Sequence, residues 1–176
     1  MSSAKALISP LDGFLEPMIG VPAWGVKRGH GSFLTFEFGE PSLVVEERQS
    51  AEKGLRRSTY VQGQSHLWIY CCHWRAMQDD QQLARSEDTN DLMDRATATL
   101  YGQKLMAVSV GAKTGHSRFT FDLGGSLETW PYGDDRTDEQ WIVHRGAEAF
   151  AYRADGLYSH GPGDKTPELE RWLPLA

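Results

Sequence analysis

The chain has 176 residues, a formal net charge of −6, 40% hydrophobic and 24% charged residues, and 18 glycines. This is the composition of a soluble globular fold and excludes a disordered chain; the acidic balance argues against a nucleic-acid partner, because phosphate contacts need a basic face. Six Trp, seven Phe and six Tyr among so many glycines favour strands and turns over a helix bundle, and the length suits one domain over 1–176 built of two small packed halves.

In chain order, residues 1–23 read as an irregular, turn-rich opening ("SPLDG", "EPMIGVP"). No apolar run here is long enough for a signal peptide and none later approaches a membrane span, so a cytoplasmic protein without a membrane partner is expected. Strands are expected at 24–28 and 33–38. In the second, Leu34, Phe36 and Phe38 alternate with Thr35 and Glu37, the pattern of a half-buried strand. A return strand follows at 42–46. The run "EERQSAEKGLRRS" at 46–58 reads as a long charged hairpin loop with room for one helical turn, its Lys53, Arg56 and Arg57 solvated. "HLWIYCCHW" at 66–74 reads as the strongest strand, central and covered on both sides because neither face is polar.

Residues 79–91 are acidic and polar. A helix is expected from 88 or 89 to 101, with Asp88 and Asp91 at its positive end, Leu92, Ala96 and Leu100 as its buried stripe and Gly102 as its C-terminal cap. Further strands are expected at 104–110, in a hairpin turning at Gly124-Gly125, and in a last hairpin of 141–144 and 148–153 around Gly146. The tail 159–176 has little strand pattern, with Trp172 and Leu173 available to pin it to the body.

The chain nearly repeats itself. "SFLTFEFG" at 32–39 matches "SRFTFDLG" at 117–124, aligning Phe36 with Phe121 and Glu37 with Asp122. Around this pair, Gly20 and Val26 align with Gly102 and Val108, Ser42-Leu43 with Ser126-Leu127, and Trp68-Ile69 with Trp141-Ile142 if the first half carries a longer connection. The fold expected is therefore mainly β: two tandem pseudo-repeated antiparallel meanders, about 20–75 and 102–155, packed as a sandwich or partly open barrel, with one helix near 88–101 covering an edge or end. The repeated Phe and Leu positions form the inward set. Glu37 and Asp122 point outward and apart, which disfavours a paired-carboxylate acid/base site.

The residues with chemistry are few. His30 and His116 sit in similar loops, and Cys71 and His73 share one side of the expected strand, yet none has the spacing of a zinc site; all four are weak metal candidates. The adjacent Cys71 and Cys72 suit reduced thiols in a reducing compartment, and burial in a central strand disfavours a nucleophilic role. No cofactor motif is present. The acidic loops "MQDDQQLARSEDTND" at 77–91 and "PYGDDRTDEQ" at 131–140 are the most suggestive surface features. Trp130, Tyr132, Asp134, Asp135, Asp138 and Glu139 together suit an interface with a basic partner. An apolar pocket between the halves near Trp24, Trp68 and Tyr70 is the alternative.

The runs "GHGSFLTFEFGEP", "HLWIYCCHW" and "FDLGGSLETWPYGDD" resemble a group of uncharacterised bacterial proteins of similar length. The strand rhythm of Gly, Leu, Phe and Trp is also similar to that of small β-rich immunity proteins, which bind and neutralise toxins. That resemblance implies a non-catalytic protein-binding module, in its narrower form an immunity-type inhibitor, and carries over no site residues. The alternatives are a small-molecule-binding sandwich or barrel and a metal-dependent enzyme.

Overall fold

The computed structural model describes residues 9–111 and 113–175; the part of the signal-peptide expectation that falls on 1–8 lies outside them. Fourteen strands and two α-helices follow one another as α1 (Pro10–Leu15), β1 (Ala23–Arg28), β2 (Leu34–Phe38), β3 (Ser42–Ser50), β4 (Gly54–Gln62), β5 (Ser65–Ile69), β6 (His73–Gln78), β7 (Gln81–Arg85), α2 (Asn90–Leu100), β8 (Leu105–Val110), β9 (Ser117–Phe121), β10 (Gly125–Trp130), β11 (Glu139–Arg145), β12 (Glu148–Arg153), β13 (Leu157–Pro162) and β14 (Leu173–Pro174). The strands form sheet A, in the order β1-β2-β5-β11-β12-β13-β14, sheet B, in the order β7-β6-β10-β9-β8, and a separate ribbon, β3-β4. No described helix is long and apolar enough to cross a membrane.

The two sheets repeat one plan with exchanged partners. The first half lays β1-β2-β5 into sheet A and then sends β6-β7 into sheet B; the second lays β8-β9-β10 into sheet B and sends β11-β12 back into sheet A. Each half's outgoing hairpin therefore extends the other half's meander, through the β5–β11 and β10–β6 pairs. Neither meander could bury its apolar face alone, and the exchange closes both over one core.

That core is aromatic. Phe36 and Phe121 stack on each other across the sandwich, with centroids 6.1 Å apart and planes at 17°. Trp141 packs on Phe119, Phe150 and Tyr152, and its indole N–H donates to the Ser117 hydroxyl at 2.9 Å, which satisfies the one polar atom this buried ring carries. Helix α2 lies across the edge strands of both sheets, touching β1 and β7, and closes one side of the sandwich. Helix α1 closes part of the rim through Phe14, which packs on Phe150 and His160.

Several expectations need correction. The opening segment is helical over Pro10–Leu15, capped by the Ser9 hydroxyl, which accepts from Asp12 N–H at 3.1 Å. Residues 46–58 are not a loop but belong to the paired strands β3 and β4. The run 66–74 is not one strand: β5 ends at Ile69 and β6 begins at His73 in the other sheet. The polar stretch 79–91 contains β7, and the tail contains β13 and β14. In α2 the buried stripe is Met93, Ala96, Thr97 and Leu100, while Leu92 is exposed. The counterpart of β10 is β5, not β3, so Ser42-Leu43 does not match Ser126-Leu127. Trp68-Ile69 and Trp141-Ile142 are not equivalents but cross-strand neighbours, Trp68 opposite Ile142 and Ile69 opposite Trp141 in the β5–β11 ladder.

A candidate protein-docking rim

The chain crosses between the sheets twice, at residues 70–72 and at 131–138. Because both crossings obey the same exchange, they meet at one end of the sandwich. Trp130 pairs with His73 in the β10–β6 ladder, Tyr70 N–H donates to the Gln140 carbonyl, and the Cys72 thiol approaches that same carbonyl at 3.6 Å. The run "CCHW" and the loop "PYGDDRTDEQ", distant in sequence, are thus one surface.

Aromatic rings build its floor. Tyr132 packs edge-on against His73 at 4.8 Å and Trp130 lies 5.8 Å from the same imidazole, whose Nδ1 sits 2.8 Å from a Glu87 carboxylate oxygen. The loop at 29–33 joins them, since the Trp74 indole donates to the Ser32 carbonyl at 2.7 Å. Phe33 packs edge-on against Trp68 and Tyr70, which stack at 4.3 Å. Tyr70 donates its phenol to Glu139 at 2.6 Å.

The rim is mainly acidic, although its loop also carries Arg136, whose guanidinium donates to the Lys113 carbonyl at 3.0 Å. Asp134, Asp135, Asp138 and Glu139 form no salt bridge among the described residues, and Arg153 close by is held by Asp155. Neighbouring groups register the excess. Burial and then Asp135 push the Asp138 carboxyl up, burial and then Glu139 do the same to Glu170, and burial followed by Asp138 and Glu139 raises the Cys71 thiol. Asp135 alone runs the other way, held down by the hydroxyl and amide of Thr137. A thiol held protonated in a negative field is a poor nucleophile, so Cys71 lacks the electropositive setting that catalytic cysteines use. Cys72 is buried and raised further by desolvation.

The remaining candidates fall elsewhere. Trp24, Trp68 and Tyr70 do not line a chamber between the halves; they stand half-buried on the outward side of sheet A, and the interior is filled by the core. None of the three lines the cavities bounded by His116, by His144, by Ile19 and Val108, or by Val110 and Leu157. His30 sits in the 29–33 loop against Phe33. His116 lines an open groove of about 420 Å³ on the outer side of sheet B, with Arg75, Arg118, Glu128 and Trp130. The break between β5 and β6 removes the strand alternation that would place Cys71 and His73 on one side. Among the described residues no three His, Cys, Asp or Glu side chains gather closely enough to hold a metal ion.

One polar cluster escaped the sequence reading. Glu37, only 8% exposed, takes His66 Nδ1 at 2.5 Å and the Gly63 N–H at 2.9 Å. His144 lies beside them, 6.4 Å from His66 ring to ring, and burial and then His66 lower its affinity for a proton. His144 also lines a cavity of about 530 Å³ at the base of the ribbon, with Gln62, Gln64, Ser65 and Arg145. What buries Glu37 is glycine: a Cβ at Gly25, in the β1 bulge, would stand 3.0 Å from its Cγ. The signal was an acid on the outward side of a strand opposite a Gly-interrupted neighbour.

No protein family, no curated protein and no solved structure matches the chain, so the rim's own chemistry is what its function must be read from.

Proposed function

We propose that this chain is a non-catalytic protein-binding module that docks a basic protein surface on the rim formed by Trp130, Tyr132, His73, Asp134, Asp135, Asp138 and Glu139. The observation that carries the reading is the co-location of half-exposed aromatic rings with four carboxylates that form no salt bridge among the described residues. A partner that supplies the cations relieves like-charge crowding, while the rings provide the desolvated contacts that dominate interface energy. The raised Cys71 thiol argues for the same conclusion from the opposite side, because the rim lacks an activated nucleophile. The immunity-type role is the narrower form of this reading and requires the basic partner to be a toxin.

The test is in-cell cross-linking with tagged wild type and with Asp134→Lys/Asp135→Lys, two exposed positions where reversal leaves the core untouched. The reading expects a cross-linked protein that disappears in the reversed variant and weakens with salt. Capture unchanged by reversal would refute it. A second reading, a small-molecule binder, is favoured only by the cavity beside His144; a thermal shift with small polar ligands that vanishes in Gln64→Ala would support it.

A further inference from the structure

The β3-β4 ribbon has no counterpart in the second half and no layer beneath it: its extensive contacts are with itself. Nine residues per strand at about 3.3 Å each give an arm of roughly 30 Å. Two-stranded ribbons are marginal in water unless something covers them. This one is not dressed for solvent. Register places Leu43 opposite Val61, Val45 opposite Thr59, Glu47 opposite Arg57 and Gln49 opposite Leu55, so one side carries Leu43, Val45, Val61 and Leu55, exposed by 68%, 51%, 55% and 57%, with the Glu47–Arg57 ion pair set between the last of these and the rest. The distal half carries Arg48, Lys53, Arg56 and Arg57 against Glu47 and Glu52; Glu46 and Glu47 hold Arg48 and Arg57, while Lys53 and Arg56 form no salt bridge among the described residues.

We propose that the ribbon is a dimerisation arm whose apolar stripe and basic tip dock on the aromatic side and acidic rim of a second copy of this chain. The inference rests on the rim reading above and names its occupant. Charge complementarity favours this partner: Lys53 and Arg56 on the arm, and Asp134, Asp135 and Asp138 on the rim, form no salt bridge among the described residues, and each set can supply the other's counter-charge. Topology supplies the geometry. The ribbon leaves sheet A at the Phe38–Ser65 end of the β2–β5 pair, and the rim stands at the opposite end, beyond Leu34, Ile69 and Glu139. A two-fold axis lying between two outer sides of sheet A, and running across the strands, exchanges those ends. Each arm then meets the other copy's rim while its apolar stripe lies along Phe33, Trp68 and Ile142, an isologous and closed arrangement.

Sedimentation velocity of the full chain tests this. A dimer is expected at about 50 μM in low salt. Lys53→Glu/Arg56→Glu should weaken it by about tenfold or more, as should Asp134→Lys/Asp135→Lys. An equimolar mixture of the two reversed variants should restore a heterodimer, while unchanged far-ultraviolet circular dichroism confirms that the exposed substitutions leave the fold intact. A wild type that stays monomeric, a dimer indifferent to both reversals, or a mixture that fails to pair would overturn the inference. So would a monomer that binds a duplex oligonucleotide through Lys53 and Arg56. A monomeric wild type whose cross-linked partner is a different protein, lost on Asp134→Lys/Asp135→Lys, would sink the inference and leave the rim reading standing.

Discussion

The connection after Phe38 and the connection after Phe121 occupy the same place in the two halves, yet one is a long ribbon and the other a tight turn. Residues 122–124 take β9 into β10 directly, helped by Gly124 at φ +88°, a conformation that a side chain would strain. Residues 39–64 send the chain out through β3 and back through β4 before β5 takes its place. Since the second half closes its meander without such an insertion, the sandwich has no need of one. The difference separates what closes the core from what the fold leaves outside it.

The comparison can be broken at its centre first. Phe36→Ala and Phe121→Ala remove equivalent rings from one stack, and each should cost about 3–5 kcal/mol in urea denaturation. If one were nearly neutral, the two halves would not share a core in the way described. Next, Glu37→Ala should cost about 1–3 kcal/mol because it strands the Gly63 N–H and removes the partner of His66. Its counterpart Asp122→Ala loses one exposed bond to Lys104 N–H and should cost under about 1 kcal/mol. Equal losses would mean that Glu37 is not the buried anchor of the ribbon-bearing half.

A pH titration sharpens the same asymmetry. His144 binds a proton less readily in the folded state, so the unfolded chain holds more protons across that window. Its contribution to stability is complete above the ordinary histidine value and falls as the pH drops below it, levelling under the folded value. Denaturation midpoints compared at about pH 7.5 and about pH 5.5 should fall less in His144→Asn than in wild type. The smallest effect belongs to the ribbon. Replacing residues 42–62 by a short Gly-Ser link should change the stability of the monomer by less than about 1 kcal/mol, since the arm buries almost nothing on its own body. A collapse of the fold on excision would make the ribbon part of the scaffold.

Local pattern made much of this legible. The alternation in Leu34–Phe38 and Ser117–Phe121 placed Phe36 and Phe121 inside, the helix ending before Gly102 followed from its cap, and the acidic loop stood out by composition. Of the ribbon only the start was legible, as the return strand at 42–46; the rest was not, because period-two alternation reveals only strands with one buried side, and β3 and β4 have none. "HLWIYCCHW" misled for the opposite reason: a uniformly apolar run conceals the point where a strand leaves one sheet for another. The aromatic and acidic rim was half legible. Trp130, Tyr132 and the acids were visible as a patch, but nothing local could say that Cys71 and His73 stand beside them.

By itself, the sequence determined which residues would face inward and that two similar strand sets would bury each other, because burial preferences act at each position. It also determined the sign of the surface charge. Only the tertiary structure decided that each half lends its last hairpin to the other's sheet, which brings both crossings to one rim and leaves one connection free as an arm. Those are consequences of strand pairing between segments far apart in the chain, and pairing depends on register and edge availability, which no local pattern encodes.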